Sequence, residues 1–66
     1  MKIDYRKLFI ACANANMNVT QAINKANCSS VILHRVKNGK NVNALTAGKL
    51  AQALGVSVES LLADEQ

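Results

Sequence analysis

Apolar residues recur along the chain at spacings of three and four, with little alternation of period two and no proline, so the elements they predict are helices. Tyr5, Leu8, Phe9 and Cys12 place one apolar face on a first helix from about Asp4 to Ala15, which the run Asn16-Met17-Asn18 breaks. Asn18 is of N-cap type. Gln21 follows three positions on, where a capping box places Glu or Gln, and Met17 is set to close over Ala22. A second helix from about Val19 to Ala26 results. Asn27, which tolerates left-handed backbone, ends it in a turn of three or four residues.

Ser29 is placed to cap a third helix, about Ser30 to Asn38, whose Leu33 and Val36 face inward with Cys28 and which Gly39 closes in a left-handed cap. After the loop Lys40-Asn41-Val42, Asn43 caps a fourth helix, Ala44 to Leu54, with Leu45, Ala47, Leu50, Ala51 and Leu54 as its inward stripe. Gly48 within it costs about 1 kcal/mol relative to alanine, which predicts the close approach of another helix there. Gly55 stops the fourth helix. Ser57 then caps a fifth, with Val56 and Leu61 as the flanking apolar pair, Glu59 in the first turn where the dipole favours an anion, and Leu61 and Leu62 docking it. The predicted fold class is all-α: five short helices in one domain spanning residues 1–66, without repeat, linker or low-complexity run.

Size and charge narrow the function classes. A domain of 66 residues buries only about 60% of its unfolded surface, which leaves little apolar area for a deep enzyme pocket. Lys2, Arg6, Lys7, Lys25, Arg35, Lys37, Lys40 and Lys49 are joined before position 59 by a single acid, Asp4, while Glu59, Asp64 and Glu65 gather at the end. A basic body with an acidic end fits a polyanionic partner, although charge alone does not separate nucleic acid from a membrane surface or from solubility. Cys12 and Cys28 sit inside apolar patterns with no CxxC, as reduced thiols of a cytoplasmic protein do. The apolar run Leu8 to Ala13 is shorter than a signal-peptide core and follows an acid, and no stretch approaches the roughly 18 apolar residues of a membrane span.

The second and third helices, joined by so short a turn, form a helix-turn-helix unit whose second member fits a major groove about 12 Å wide. In that geometry the first member lies across the phosphate backbone, which places Asn18, Val19 and Thr20 at the phosphate end. The second offers its outward N-terminal residues to base edges. The stretch from Met17 to Lys40, closing on Asn38-Gly39-Lys40, resembles without a gap the helix-turn-helix core of the lambda-repressor-like, Cro/repressor-type family. Ala51 to Leu62, containing Ala53-Leu54-Gly55-Val56-Ser57, resembles that family's closing segment, and the likeness extends over residues 4–63.

This resemblance implies sequence-specific binding of a double-stranded DNA operator by a transcriptional repressor or regulator, as a homodimer on DNA. Ser30, Val31 and Arg35 match the family's base-facing positions, with Ile32 and His34 flanking them. Asn18, Thr20, Ser29, Lys37, Asn38, Lys40 and Asn41 match positions that commonly touch phosphates. Arg35 is the principal base reader expected, since a guanidinium bonds both O6 and N7 of guanine, worth roughly 1–3 kcal/mol of discrimination. Val31 and Ile32 read bases only through apolar contact, as with a thymine methyl group. Many family members pair an arginine in the first helix with a glutamate near the end of the third, but Cys12 and Lys37 occupy those positions here. Neither half of the pair is stranded. Cys12 is expected in the core, and Lys37 is expected to turn toward phosphate.

Other readings of the same residues are weaker. Cys12, Cys28 and His34 match no zinc spacing and lack a fourth ligand, so neither a metal nor a cofactor is expected. His34 is expected to face solvent, near phosphate. At least one of the adjacent Val31 and Ile32 must be exposed, and Ile32 is the one that could pack on the second helix. The eight asparagines read mainly as caps and turns, with Asn38 and Asn41 serving phosphates as well. Tyr5 and Phe9, at helical spacing, read as core rather than as stacking platforms for bases. Every carboxylate lies in the first four or last eight residues and no nucleophile has a base beside it, so neither an enzyme nor a small-molecule substrate is expected. Leu61, Leu62, Val42 and the tail are the surfaces on offer for a dimer. The competing function is a protein-interaction module, an accessory, antitoxin or anti-repressor subunit that docks a partner through Val31 and Ile32.

Overall fold

The computed structural model describes residues 1–63; the acidic tail residues Asp64 and Glu65 lie outside the described residues. Four α-helices and one turn of 3-10 helix follow in order: α1 Tyr5–Asn14, α2 Val19–Lys25, α3 Val31–Lys37, α4 Ala44–Leu54 and the 3-10 turn Val58–Leu61. The fold is all-helical, but the fifth helix expected after Ser57 is only that single turn. Ser57 makes no capping bond to the backbone; its hydroxyl lies 2.9 Å from that of Ser60.

Local capping chemistry sets the helix starts. Asp4 accepts from the Arg6 N–H at 2.9 Å and the Lys7 N–H at 3.4 Å. Asn18 and Gln21 form a complete capping box: Asn18 Oδ1 accepts from the Gln21 N–H at 2.7 Å and Gln21 Oε1 from the Asn18 N–H at 2.9 Å. Asn43 Oδ1 accepts from the Thr46 N–H at 2.7 Å. Ser29 Oγ accepts from the Val31 N–H at 3.2 Å, so it closes the start of α3 while Ser30 already has helical backbone angles.

All four helices end in the same way. Asn16, Asn27, Gly39 and Gly55 adopt φ values of 59°, 61°, 68° and 70°. Each left-handed residue lets the next N–H reach back to a carbonyl five positions earlier: Met17 to Cys12, Cys28 to Ile23, Lys40 to Arg35 and Val56 to Ala51, at 2.8–3.0 Å. Three of these closures carry apolar residues at both ends. At α3 the two positions hold Arg35 and Lys40, both exposed.

One apolar core joins the elements. α2 packs on α1, α3 and α4, and the 3-10 turn packs on α1 and α4. Leu8, Leu50, Leu61 and Cys12 are its largest fully buried side chains. Burial raises the Cys12 thiol above its ordinary pKa by desolvation. On α1, Leu8 and Cys12 are buried and Tyr5 packs against the core as expected, but Phe9 is 57% exposed and Ala11 completes the buried face instead. On α4, Ala47, Leu50, Ala51 and Leu54 are buried but Leu45 is 69% exposed. At about 100° per residue Leu45 stands roughly 200° from Ala47, on the far side of the helix. Gly48 admits no close neighbour either: a Cβ placed there meets nothing within 4 Å, so no helix approaches it as its sequence position suggested.

The first four residues form an extended segment between two others. The Val42 N–H donates to the Met1 carbonyl at 2.8 Å and the Met1 nitrogen donates to the Val42 carbonyl at 3.0 Å. On the other side Ile3 bridges to Leu62, with the Asp4 N–H on the Leu61 carbonyl at 2.8 Å and the Ala63 N–H on the Lys2 carbonyl at 2.9 Å. Val42 and Leu61 are therefore core residues. They do not offer the dimer surface expected of them, and Leu62 is half-buried. Among the described residues no helix is long and apolar enough to cross a membrane.

Candidate nucleic-acid interface

α3 has two unlike sides. Val36 is buried, and Leu33 and Ile32 pack against the core from partly buried positions. Ser30, Val31, His34 and Arg35 are exposed, with Val31 and Arg35 one turn apart on the same side. Of the two adjacent apolar residues, Val31 is thus the outward one, 57% exposed. Ser30, Val31, His34 and Arg35 reach solvent from a single helix face, and Ile32 stands at its edge.

The residues with phosphate-binding chemistry flank this face in sequence. Asn18 and Thr20 are exposed at the start of α2, and Ser29, Lys37, Asn38, Lys40 and Asn41 are exposed around α3. Asn18 uses Oδ1 for its cap and keeps its amide N–H groups as donors. Ser29 likewise accepts from Val31 and still has a hydroxyl proton to donate. The Lys37 ammonium lies 5.7 Å from the centre of the Tyr5 ring, in cation–π range, which joins the end of α3 to the start of α1. Cys12 and Lys37, the pair that stands in place of an ion pair in the resembled family, are therefore a buried thiol and an exposed ammonium with a different partner.

Arg35 is the most tightly placed of the candidate readers. Its Nε and Nη2 both donate to the Asn41 carbonyl, at 3.0 and 2.7 Å. A guanidinium has five N–H donors, so one on Nη2 and both on Nη1 remain for another acceptor. Asn41 thus contributes its backbone, a role that its side-chain chemistry does not announce. Ile32, Arg35, Asn41, Val42, Asn43 and Thr46 line one open hollow of about 550 Å³ between α3 and the start of α4. Asn43 and Thr46 were not among the expected site residues. Asn43 reads as a cap in the sequence, and no local signal places it or Thr46 beside Arg35, because the fold alone brings the start of α4 to this side of α3.

The cations outnumber the acids around this surface. Arg35, Lys37 and Lys40 lie within six residues of one another, and the acids of the described residues, Asp4 and Glu59, sit at the start of α1 and in the 3-10 turn. Asp4 is engaged with backbone N–H groups. Among the described residues no three His, Cys, Asp or Glu side chains cluster as a metal site would require. Comparison of the chain with protein-family models, with curated proteins and with solved structures finds no match.

Proposed function

We propose that this chain binds double-stranded DNA in a sequence-specific way as a transcriptional regulator of repressor type, with α2 and α3 acting as a helix-turn-helix and α3 entering the major groove. The observation that carries this reading is the outward face of α3, where Ser30, Val31, His34 and Arg35 are exposed while Val36 is buried on the other side. An amphipathic helix whose exposed side carries Ser30, His34 and Arg35 beside the apolar Val31, next to Lys37 and Lys40, matches the chemistry of base edges between two phosphate rows. The resemblance of residues 17–40 to lambda-repressor-like proteins points the same way. Arg35 would read guanine, Val31 a thymine methyl, and Asn18, Thr20, Ser29, Lys37, Asn38, Lys40 and Asn41 would hold phosphates.

A single helix of this length reaches few bases, so the working form on DNA is a symmetric homodimer on a pseudo-palindromic operator. Its half-sites would lie about 34–36 Å apart, or a multiple of that. The setting is a cytoplasm in which DNA is accessible, and the reading needs neither a cofactor nor an enzymatic step.

Selection of bound duplexes from a random pool, followed by titration across salt concentrations, tests the proposal. Contact with four phosphates gives a slope of log affinity against log salt of roughly −3.6, and Arg35→Ala removes the preference at one base pair. A helix-turn-helix that docks a partner protein through its exposed Val31 would instead show almost no salt dependence. Absence of any complex with DNA at low ionic strength rejects the DNA-binding reading.

A further inference from the structure

The hydrogen bonds around Arg35 form a continuous chain that starts far away in sequence. Asn41 grips the guanidinium through two donors to one carbonyl, at 3.0 and 2.7 Å. The neighbouring Lys40 N–H donates to the Arg35 carbonyl at 2.8 Å, so consecutive loop residues hold the same arginine at both ends. The loop is fixed in turn by Val42, whose side chain is buried and whose backbone exchanges two hydrogen bonds with Met1. The extended segment 1–4 is itself anchored by Ile3 in the core and by the Ile3–Leu62 bridge.

We propose that residues 1–3 and the Asn41 carbonyl are a positioning device for Arg35, through which docking of the N-terminal segment sets base discrimination. This rests on the DNA-binding reading above. An arginine free at the surface loses rotamer freedom when it docks on a base, whereas one already restrained has less to lose. The Asn41 carbonyl takes the Nε side of the guanidinium and leaves the Nη1 and Nη2 donors, the pair able to meet O6 and N7 of guanine end-on. Asn41, Val42 and Met1 are positioning residues in this scheme and need touch no base. Displacement of the N-terminal segment frees the loop and then the guanidinium, so specificity falls while attraction to phosphates persists.

The test compares the full chain with a synthetic chain that begins at Lys2, which lacks both Met1–Val42 hydrogen bonds but keeps Ile3. A full chain with an ester in place of the Asn41–Val42 amide weakens the Asn41 carbonyl as the acceptor for Arg35, removes the Val42 N–H that donates to Met1, and serves should the shortened chain fail to fold, as judged by its thermal transition. In the free protein, nitrogen-15 NMR of the full chain is expected to show the Arg35 Nε–H shifted and slowly exchanging relative to Arg6, and the altered chains are expected to lose that difference. With DNA, the ratio of affinities for guanine against other bases at the position read by Arg35 is expected to fall roughly two- to tenfold. Affinity for random duplex and its salt slope are expected to stay the same. Asn41→Ala, which retains the carbonyl, leaves the Arg35 Nε–H signal of the free protein as it is in the full chain. An Arg35 Nε–H that exchanges like that of Arg6 in the full chain, or that is indifferent to both alterations, overturns the positioning device whether or not DNA binds. An unchanged base ratio overturns its role in specificity. Failure of every form to bind DNA, with the NMR difference intact, rejects the function reading and with it the specificity role.

Discussion

The Lys37 ammonium stands over the Tyr5 ring, 5.7 Å from its centre, and this contact links the last turn of α3 to the first turn of α1. Tyr5 is also tilted against Phe9, with ring centres 6.5 Å apart, so the exposed end of α1 carries a small aromatic platform on which a cation rests.

A double-mutant cycle of Tyr5→Leu and Lys37→Met should give a coupling of about 0.5–1 kcal/mol in urea denaturation, the range for an exposed cation–π pair. A coupling indistinguishable from zero would mean that the ammonium is held by solvent instead. In the DNA-binding reading, Lys37→Glu also lowers affinity for all duplexes and flattens the salt slope. Equal affinity for the variant and the parent chain would remove Lys37 from the interface.

Gly48 within α4 and Gly55 just after it should respond in opposite directions. Gly48→Ala is expected to raise stability by about 0.5–1 kcal/mol, because the helix gains alanine propensity and the new Cβ meets nothing within 4 Å. Gly55→Ala should cost roughly 1–2 kcal/mol, since φ is +70° there and an L side chain is strained whatever the space. Thermal unfolding of the two variants measures both, and a loss on Gly48→Ala would reveal a close neighbour that the structure lacks.

Replacing Asn18 by alanine removes the Oδ1 acceptor from the Gln21 N–H and should destabilise the fold by about 1 kcal/mol. Gln21→Ala removes only the reciprocal bond to the exposed Asn18 N–H and should cost less. Chemical denaturation at constant slope separates the two. The reverse order would place the main contribution of the capping box on the glutamine.

The two thiols should differ in reactivity. Cys28 is half-buried, with Sγ 3.6 Å from the Ala26 carbonyl, and should react with an alkylating reagent in the folded protein. Cys12 should react only as fast as the chain unfolds. Its folded pKa lies above the ordinary 9.0 because burial disfavours the thiolate, so the unfolded chain releases this proton first. This contribution to stability is intact below pH 9 and declines as the pH rises from there toward the folded pKa. Cys12→Ala should therefore show a shallower alkaline loss of stability than the parent chain in melts between about pH 8 and 10. Parallel curves would exclude Cys12 as a source of that loss.

Features that depend on a few adjacent residues were legible in the chain. Spacing of three and four indicated the helices, and the bounds of α4 agree with those expected from Asn43 and Gly55. The Asn18–Gln21 box and the left-handed turns at Asn27, Gly39 and Gly55 follow from side-chain reach and backbone sterics, which act within one turn. The inward placing of Leu33 and Val36 on α3 followed from the same period, whereas Ser30, Val31 and Arg35 were expected outward from the resemblance, and the structure decided that Val31 rather than Ile32 is the exposed one of that pair. What large apolar residues obscured on α1 was the edge of the buried face: Leu8 and Cys12 are buried as expected, but Ala11 faces the core while the bulkier Phe9 does not, because helix packing selects by fit as well as by size.

Tertiary structure alone decided the relations between distant segments. That Met1 pairs with Val42, Ile3 with Leu62 and Arg35 with the Asn41 carbonyl is a matter of backbone groups, which every residue carries and no side-chain pattern distinguishes. The amino-acid order determined where the four α-helices begin and end and that Leu33 and Val36 of α3 face inward. The packing of the first and last segments around the core determined how the loop behind α3 holds Arg35, since only a folded chain brings those carbonyls within hydrogen-bond reach.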